Sequence, residues 1–414
     1  MAATALSPDI TLAVVEDADG DRYAAPLLRD GTGVRRAVPG DGAALALVAA
    51  LRDPSLVELE PSRTPFSLTP WHHADVIAER AIDVDQSNES VIVENADGTV
   101  GAVVKWVVRV SAGDDPAPIR VARLVESGFE AMPRPWGMVQ WRVEPGGPFA
   151  LVAMVTELVP GARDGWEWAV EDARAYAAGG ASLEVTAVEP GTTLGRIVAE
   201  LHLGLADATP TVADVARAAA WRDEAIAGLD DALALMDGPE LVRLGRHAEA
   251  IRDELNALAD ATGTPLVPVH GDLHVGQVLR GSDGSYRITD FDGNPVATHH
   301  ERTAPQPVAV DVAGMAQSLD HVAYVVLHRT SGVDAEAVQR WRTAVGDAFL
   351  SAYRARLAAA DRTALLDERL VPPLRLRQVC REYVYAGRHL PHWRYVPDRA
   401  VRDRFPVPDH EGAE

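Results

Sequence analysis

The sequence predicts an α+β fold in three successive parts, and three observations point to it. Strand-like apolar runs and turn clusters crowd the stretch before residue 160. From Trp166 onward, apolar residues recur mostly at helical spacing. One short stretch at 269–294 interrupts the helices, with two aspartates, Asp272 and Asp290, each preceded by a short β-branched run. The expected boundaries are 1–85 for a small N-terminal cap, 86–159 for a sheet with one helix, and 160–414 for a mostly helical part.

Within the cap, apolar runs at 10–15 and 23–28 alternate with turn residues. Pro39, Gly40, Asp41 and Gly42 then precede an alanine-rich helix at 43–51. In the second part, runs at 90–94 and 100–110 flank Asp97 and Gly98, a strong hairpin signal. A helix is expected over 119–127, ending at Gly128, and a buried strand over 149–158, closed by Pro160 and Gly161. In the third part, helices are expected over 194–206, in two segments within 210–259 broken at Gly238 and Pro239, and over 312–329, 335–360 and 373–389.

A chain of 414 residues is long enough for two or three substructures around sizeable cores. Apolar content of 47% and charged content of 24% are ordinary for a soluble globular protein. The net charge of −22 argues against nonspecific nucleic-acid binding and against docking on anionic membranes. Cys380 is the sole cysteine, which excludes an internal disulfide and a cysteine-based zinc site. No apolar run reaches membrane-spanning length, and the first residues lack a basic segment, so a cytoplasmic location is expected.

The residues with chemistry cluster after His270. Asp272 is followed five positions later by Gln277, and Asp290 opens the run to Asn294. Phosphoryl transfer to a hydroxyl needs one carboxylate to receive the hydroxyl proton, and oxygen donors for Mg²⁺ around the nucleotide phosphates. The spacing matches H-x-D-x-x-x-x-N with glutamine in the last place. Asp272 is then the catalytic base, against the rival of a carboxylate capping the next turn. Gln277 and Asp290 are the metal ligands, although a buried amide can also be satisfied by backbone. Asp292 is a second metal ligand, an acceptor-facing carboxylate or a turn residue before Gly293. His274 shapes the acceptor side or is structural.

Lys105 is the only lysine among 39 basic residues. Where arginine replaces lysine nearly everywhere, a surviving lysine marks a place where a compact ammonium is required and a planar fork will not serve. Lys105 ends the strand-like run 101–105, as the phosphate-contacting lysine does in V-A-I-K. A chance survivor on a strand edge is the rival. No glycine-rich phosphate loop is present. Ser87 and Asn88, just before the first hairpin strand, either offer backbone N–H groups to phosphate or form an ordinary turn. Glu157 and Val159, at the end of the expected strand 149–158, would meet adenine through their backbone.

These motifs resemble the aminoglycoside-phosphotransferase-like kinases, and more closely the bacterial maltokinases and glucosamine kinases. The resemblance runs through 85–91, 164–167, Leu194 and Gly195, 199–202, 270–277, 311–315 and 391–393, nearly the whole chain. It implies a two-lobed protein-kinase-like fold with an N-terminal cap subdomain, ATP as phosphoryl donor and Mg²⁺ as cofactor. The segment 290–295 departs from the maltokinase form, and 378–395 looks more like the glucosamine-kinase signature. In that reading Gln378, Arg381 and Glu382 hydrogen-bond a sugar, Glu382 neutralises its ammonium, and Trp393 borders the ring. The rival is a set of core aromatics and a surface ion pair. Glu126 is a candidate partner for Lys105. The resemblance thus implies a kinase making glucosamine 6-phosphate. Alternatives are a maltokinase, an antibiotic phosphotransferase and a non-catalytic sugar- or nucleotide-binding protein. The expected partners are ATP and a small sugar or amino sugar, with no nucleic acid and no membrane, and the chain acting as a monomer or weak dimer.

Overall fold

The computed structural model describes residues 2–57, 65–82, 89–97, 101–110, 115–142, 147–295 and 297–406. The chain divides into two compact units, 1–162 with 281–303, and 163–280 with 304–414.

The first unit begins with an antiparallel sheet of β1 (Ala2–Ala5), β2 (Ile10–Glu16), β3 (Arg22–Asp30) and β4 (Gly33–Arg36), in sequential order. Helices α1 (Ala43–Ala50) and α2 (Pro54–Val57) follow. A second sheet contains β5 (Phe66–Pro70), β6 (Val76–Ala81), β7 (Glu89–Asn95) and β8 (Ala102–Trp106). After helix α3 (Pro116–Glu126) it gains β9 (Pro135–Arg142) and β10 (Phe149–Glu157), in the order β5-β9-β10-β8-β7-β6. β5 and β6 lie within the expected cap range 1–85 but pair into this larger sheet. The expected boundary near residue 85 therefore runs through one sheet.

Both sheets share one core, in which Leu12, Leu47, Val93, Val104, Val139 and Val152 are fully buried. Glu79 on β6 fastens α1 to it. Its Oε1 accepts the N–H groups of Gly40 and Gly42, and its Oε2 those of Ala44 and Leu45. A carboxylate there satisfies helix-start donors and faces the positive end of the helix dipole.

In the second unit the chain passes through α4 (Gly165–Ala177) and α5 (Glu189–Leu205). Strand β11 (Thr211–Val212) precedes α6 (Val215–Leu235) and α7 (Gly238–Asn256), and β12 (Pro265–Leu266) returns to pair with β11. Next comes β13 (Val278–Arg280). The chain then re-enters the first unit for β14 (Tyr286–Ile288) and the short α8 (His299–Thr303). It completes the second unit with α9 (Ala309–Arg329), α10 (Ala335–Ala359), α11 (Val371–Arg388) and α12 (Tyr395–Arg404).

Aspartates start several of these helices: Asp164 accepts from Trp166 and Glu167, Asp214 from Arg217, and Asp334 from Glu336 and Ala337. The break expected at Gly238 and Pro239 lies slightly earlier, at Met236 and Asp237, and Pro239 instead sits in the first turn of α7. Between α5 and α10 the backbones come very close. A Cβ on Gly195 would stand 2.2 Å from the Phe349 carbonyl oxygen, so only glycine fits. Trp168, Trp341, Phe349 and Tyr353 fill the surrounding interior.

Candidate active site

In the first unit, β8 alternates: Ala102, Val104 and Trp106 are buried in the core, so Val103 and Lys105 point to the other face. Lys105 pairs across the sheet with Ser90 on β7 and Met154 on β10. Its ammonium donates to Asp292 Oδ2 at 2.8 Å and lies 3.9 Å from Asp290 Oδ1. Burial opposes the charge on Lys105, but the Asp292 carboxylate, with Asp290 behind it, more than offsets this and raises its pKa. Burial likewise works against the Asp292 carboxylate, and Lys105 brings its pKa below the ordinary value. Both groups therefore stay charged. Glu126, the partner suggested by sequence, is exposed at the end of α3, and Lys105 bonds Asp292 instead.

Asp290 has φ of 65°, a left-handed conformation uncommon for a residue with a Cβ, and its side chain is about half exposed. Such strain persists only where surrounding contacts enforce it. Next to Asp290, Arg120 on α3 is buried and donates to the carbonyls of Phe291 and Arg302, each at 2.6 Å. The Ile288 N–H is tied to the Ala131 carbonyl at 2.8 Å.

At the end of β10, the Glu157 and Leu158 N–H groups are taken by Arg134 and Gly101. The Val159 N–H has no protein partner among the described residues. Glu157 pairs with Ala102, so its side chain points to the core face, opposite Lys105, where it meets Arg134 at 2.9 Å. There it lines a cavity of about 510 Å³ with His72, Asp75 and Trp136. Only the backbone of Glu157 is thus available on the Lys105 side. Ser87 and Asn88 lie outside the described residues.

In the second unit, the loop carrying Asp272 hangs from Asp311 on α9. Asp311 Oδ2 accepts the His270 N–H at 2.7 Å, and Oδ1 accepts the Gly271 N–H at 2.9 Å. Asp311 is buried together with His202 on α5, whose Nε2 is 3.1 Å from Oδ2 and whose Nδ1 is 2.7 Å from the Tyr353 hydroxyl. Burial alone would raise the Asp311 pKa, but His202 and the backbone donors hold it below the ordinary carboxylate value. Further along, the Val275 N–H bonds Ser318 Oγ at 2.8 Å. His274 caps the turn Val275–Gln277 by accepting the Gly276 N–H on Nδ1. Asp272 and Gln277, both partly accessible, are thereby held on a loop fixed at both ends.

An aromatic wall stands near this loop. The Trp166 ring lies 6.2 Å from His274 and packs edge-on against Trp393 at 5.9 Å. The close approach of α4 explains Gly165, since a Cβ there would overlap the Val275 carbonyl. Trp393 is half-buried rather than a core residue, whereas Tyr383 is fully buried. Tyr395 stacks on His328 with ring centroids 3.7 Å apart.

Glu382 on α11 retains 18% of its side-chain surface, but its Oε2 is buried. Gln378, one helical turn earlier, donates to Oε1 at 3.1 Å, and His321 Nε2 on α9 lies 3.2 Å from Oε2. Burial pushes the Glu382 carboxyl up to about 8. Burial, then the Arg375 charge and His274, push His321 down to about 3. Arg381 is half-buried one position before Glu382, whose closest partners are Gln378 and His321, so no Arg381–Glu382 surface pair forms.

Each unit therefore assembles its own share of the expected residues: Lys105, Asp290 and Asp292 in the first, and Asp272, His274, Gln277, Gln378, Arg381, Glu382 and Trp393 in the second. Sequence reading missed the roles of Arg120 and His321, and saw His202, Asp311 and Trp166 only as parts of motifs. The available signal was chemical: Asp311, Gln317, Ser318 and His321 are polar residues among the apolar positions of α9.

No family model matches the chain. It is 47% identical over 404 residues to a glucosamine kinase of Streptacidiphilus jiangxiensis, covering 95% of this chain and 88% of that one. It is 42% identical over 397 residues to a glucosamine kinase of Mycolicibacterium smegmatis, covering 95% and 92%. Among solved structures, a glucosamine kinase in complex with glucosamine, ADP and inorganic phosphate superposes with a TM-score of 0.87 at 44% identity, covering 98% of this chain and 93% of that one. With that identity sustained over almost its whole length, the chain belongs to the glucosamine kinase family.

Proposed function

We propose that this protein transfers the γ-phosphoryl group of ATP to the 6-hydroxyl of D-glucosamine, with Mg²⁺ as cofactor. The observation that carries the choice of acceptor is Glu382. A buried carboxyl, fixed by Gln378 through Oε1 and with Oε2 beside His321 but not hydrogen-bonded, forms no ion pair with lysine or arginine among the described residues, and an amine on a bound sugar supplies a cation. A neutral sugar would leave that group without its complement, which costs affinity.

Asp272 receives the proton of the attacking hydroxyl and, because the transition state is loose, contributes as much by orienting it. Trp166 and Trp393 border the sugar ring, and His274 lies against that wall. Lys105 supplies a compact positive charge for the nucleotide phosphates once Asp292 shares it. The Val159 N–H and the carbonyl of Glu157 suit the edge of adenine. The donors fit the metal: Asp290 offers a half-exposed carboxylate and Gln277 an amide oxygen, hard ligands of the kind Mg²⁺ takes alongside phosphates. When bound, Mg²⁺ neutralises charge on the transferred phosphoryl group. No helix among the described residues is long and apolar enough to cross a membrane. We place the reaction in the cytoplasm, where ATP is available, with the protein a monomer or weak dimer.

The test is ADP release on addition of glucosamine, with Mg²⁺ and with excess EDTA. Turnover that requires both glucosamine and the metal is expected. Turnover with maltose but not glucosamine would move the protein to the maltokinase reading, and full turnover in EDTA would remove the metal from the account.

A further inference from the structure

The partners of Glu382 form a chain with one consistent arrangement of protons. Arg375 Nε donates to Gln317 Oε1 at 3.0 Å, and Arg375 Nη2 bonds Asp320 Oδ2. Arginine is only a donor, so the oxygen of the Gln317 amide must face it. The amide nitrogen then faces His321 Nε2 at 2.9 Å, and since it too is only a donor, Nε2 must accept. His321 is fully packed, with Nε2 also 3.2 Å from Glu382 Oε2. Two lone-pair atoms at that distance repel unless one carries a proton. Gln317 already occupies the Nε2 lone pair, so His321 has no proton to offer Oε2, which makes no hydrogen bond among the described residues. Nothing there stabilises a bare carboxylate, so the proton belongs on Glu382. The other carboxyl oxygen accepts from Gln378 and needs none.

We propose that His321, its tautomer fixed by Gln317 and Arg375, is a positioning residue that holds Glu382 as the uncharged acid until an amine-bearing acceptor binds, so that glucosamine binding expels a proton. The proposal rests on the acceptor reading given above. In the step, the O–H bond of the Glu382 carboxyl breaks and its proton passes to solvent. The acceptor's ammonium keeps all its protons, and one of its N–H groups replaces the lost donor. The charged and titratable groups facing the pair are Arg375, Cys380 and Arg381 on α11, Asp320 and Tyr324 on α9, and His274 on the loop. Arg375 opposes an imidazolium at His321, while burial opposes a bare carboxylate at Glu382. The empty pocket is neutral, and desolvating it costs less than desolvating a free carboxylate. A sugar without an amine leaves the buried Oε2, which has no hydrogen-bond partner among the described residues, still without one, and gains no charge-assisted bond from it. Discrimination thus comes from the proton that only an ammonium displaces.

The experiment is titration calorimetry of the full-length protein with glucosamine at about pH 6.5, in two buffers of different ionisation enthalpy. At that pH an amine of ordinary pKa, about 7.7–8.0, is mostly an ammonium. The wild type should release close to one proton per glucosamine bound, and its Kd should fall about tenfold per unit rise in pH between about 6 and 7, as proton linkage requires. Gln317→Leu removes the donor that fixes Nε2, lets Nε2 carry the proton toward an ionised Glu382, and should abolish most of the release. A purely structural role for His321 and Gln317 would change affinity and leave the proton count alone. Glucosamine that binds and is phosphorylated with no proton exchange and a pH-independent Kd overturns this proposal and leaves the kinase reading standing. Absence of both binding and turnover strikes the acceptor reading itself, and this proposal with it. The wild-type measurement decides the matter even if the variant does not fold.

Discussion

Asp311 grips the backbone of His270 through Oδ2 at 2.7 Å while Oδ1 takes the N–H of Gly271 at 2.9 Å. One buried carboxylate thus sets the two residues immediately before Asp272, and His202 Nε2 packs behind it at 3.1 Å from Oδ2. Asp311→Ala would strand two backbone donors and a histidine in the interior. We expect a loss of about 3 kcal/mol in stability, the scale for breaking a buried charged network. Turnover should fall more steeply than nucleotide affinity. Because the folded pKa of Asp311 is depressed, its contribution is complete above the ordinary carboxylate range and fades as pH falls below it. Denaturant unfolding of both proteins at neutral and acid pH checks this: the gap between them should narrow toward acid.

Asp272→Asn keeps the shape of the loop but cannot receive a proton. The expected result is a drop in kcat of about 10²-fold or more, the usual worth of a positioned acid–base group, with folding and ATP binding retained. Near-normal turnover in a folded variant would remove Asp272 from the role of base.

Lys105→Arg retains the charge and should still fail. The ammonium fits against Asp292 at 2.8 Å from a strand whose other face is core, and a planar fork needs more room and a different approach. A fall in kcat/KM of about 10-fold or more is expected in steady-state assays. Unchanged kinetics would reduce the lone lysine to an accident of codon usage.

Glu382 gives a pH signature in stability. Its folded pKa is raised from 4.5 to about 8. Between those values the folded protein keeps a proton that the unfolded chain has lost, so stability falls as pH rises through that window. Glu382→Gln removes this dependence. The variant's Tm minus the wild type's should therefore be more positive at about pH 8 than at about pH 5, and a constant difference would contradict the raised pKa.

Much of this was legible in the chain, and the reason is locality. Asp272 with Gln277, Asp290 with Asp292, and the single lysine each announce themselves within a few residues. The main helices followed from periodicity, with ends shifted by a few residues, as in α9, which starts at Ala309. β9 was missed because Pro135–Arg142 is buried on nearly every residue, as the second strand of a six-stranded sheet, and so shows no alternation. Contacts across long separations were equally hidden. Lys105 meets Asp292 from 187 residues away, Arg120 reaches the Phe291 carbonyl from 171, and His321 meets Glu382 on a different helix. Nothing in local propensity or spacing encodes such pairs; they follow only once sheet and helices have packed. Ser87 and Asn88 remain proposals drawn from the sequence alone, for phosphate contact through their backbone.

The most direct test of the central claim is the ratio of kcat/KM for glucosamine to that for glucose, with the product's phosphate position read by NMR. The account predicts a ratio of about 10²-fold or more, as where a buried polar group goes unmatched, with phosphate on the 6-hydroxyl and N-acetylglucosamine nearly inert. A ratio near one, or phosphate on the anomeric hydroxyl of maltose as the faster product, would contradict it.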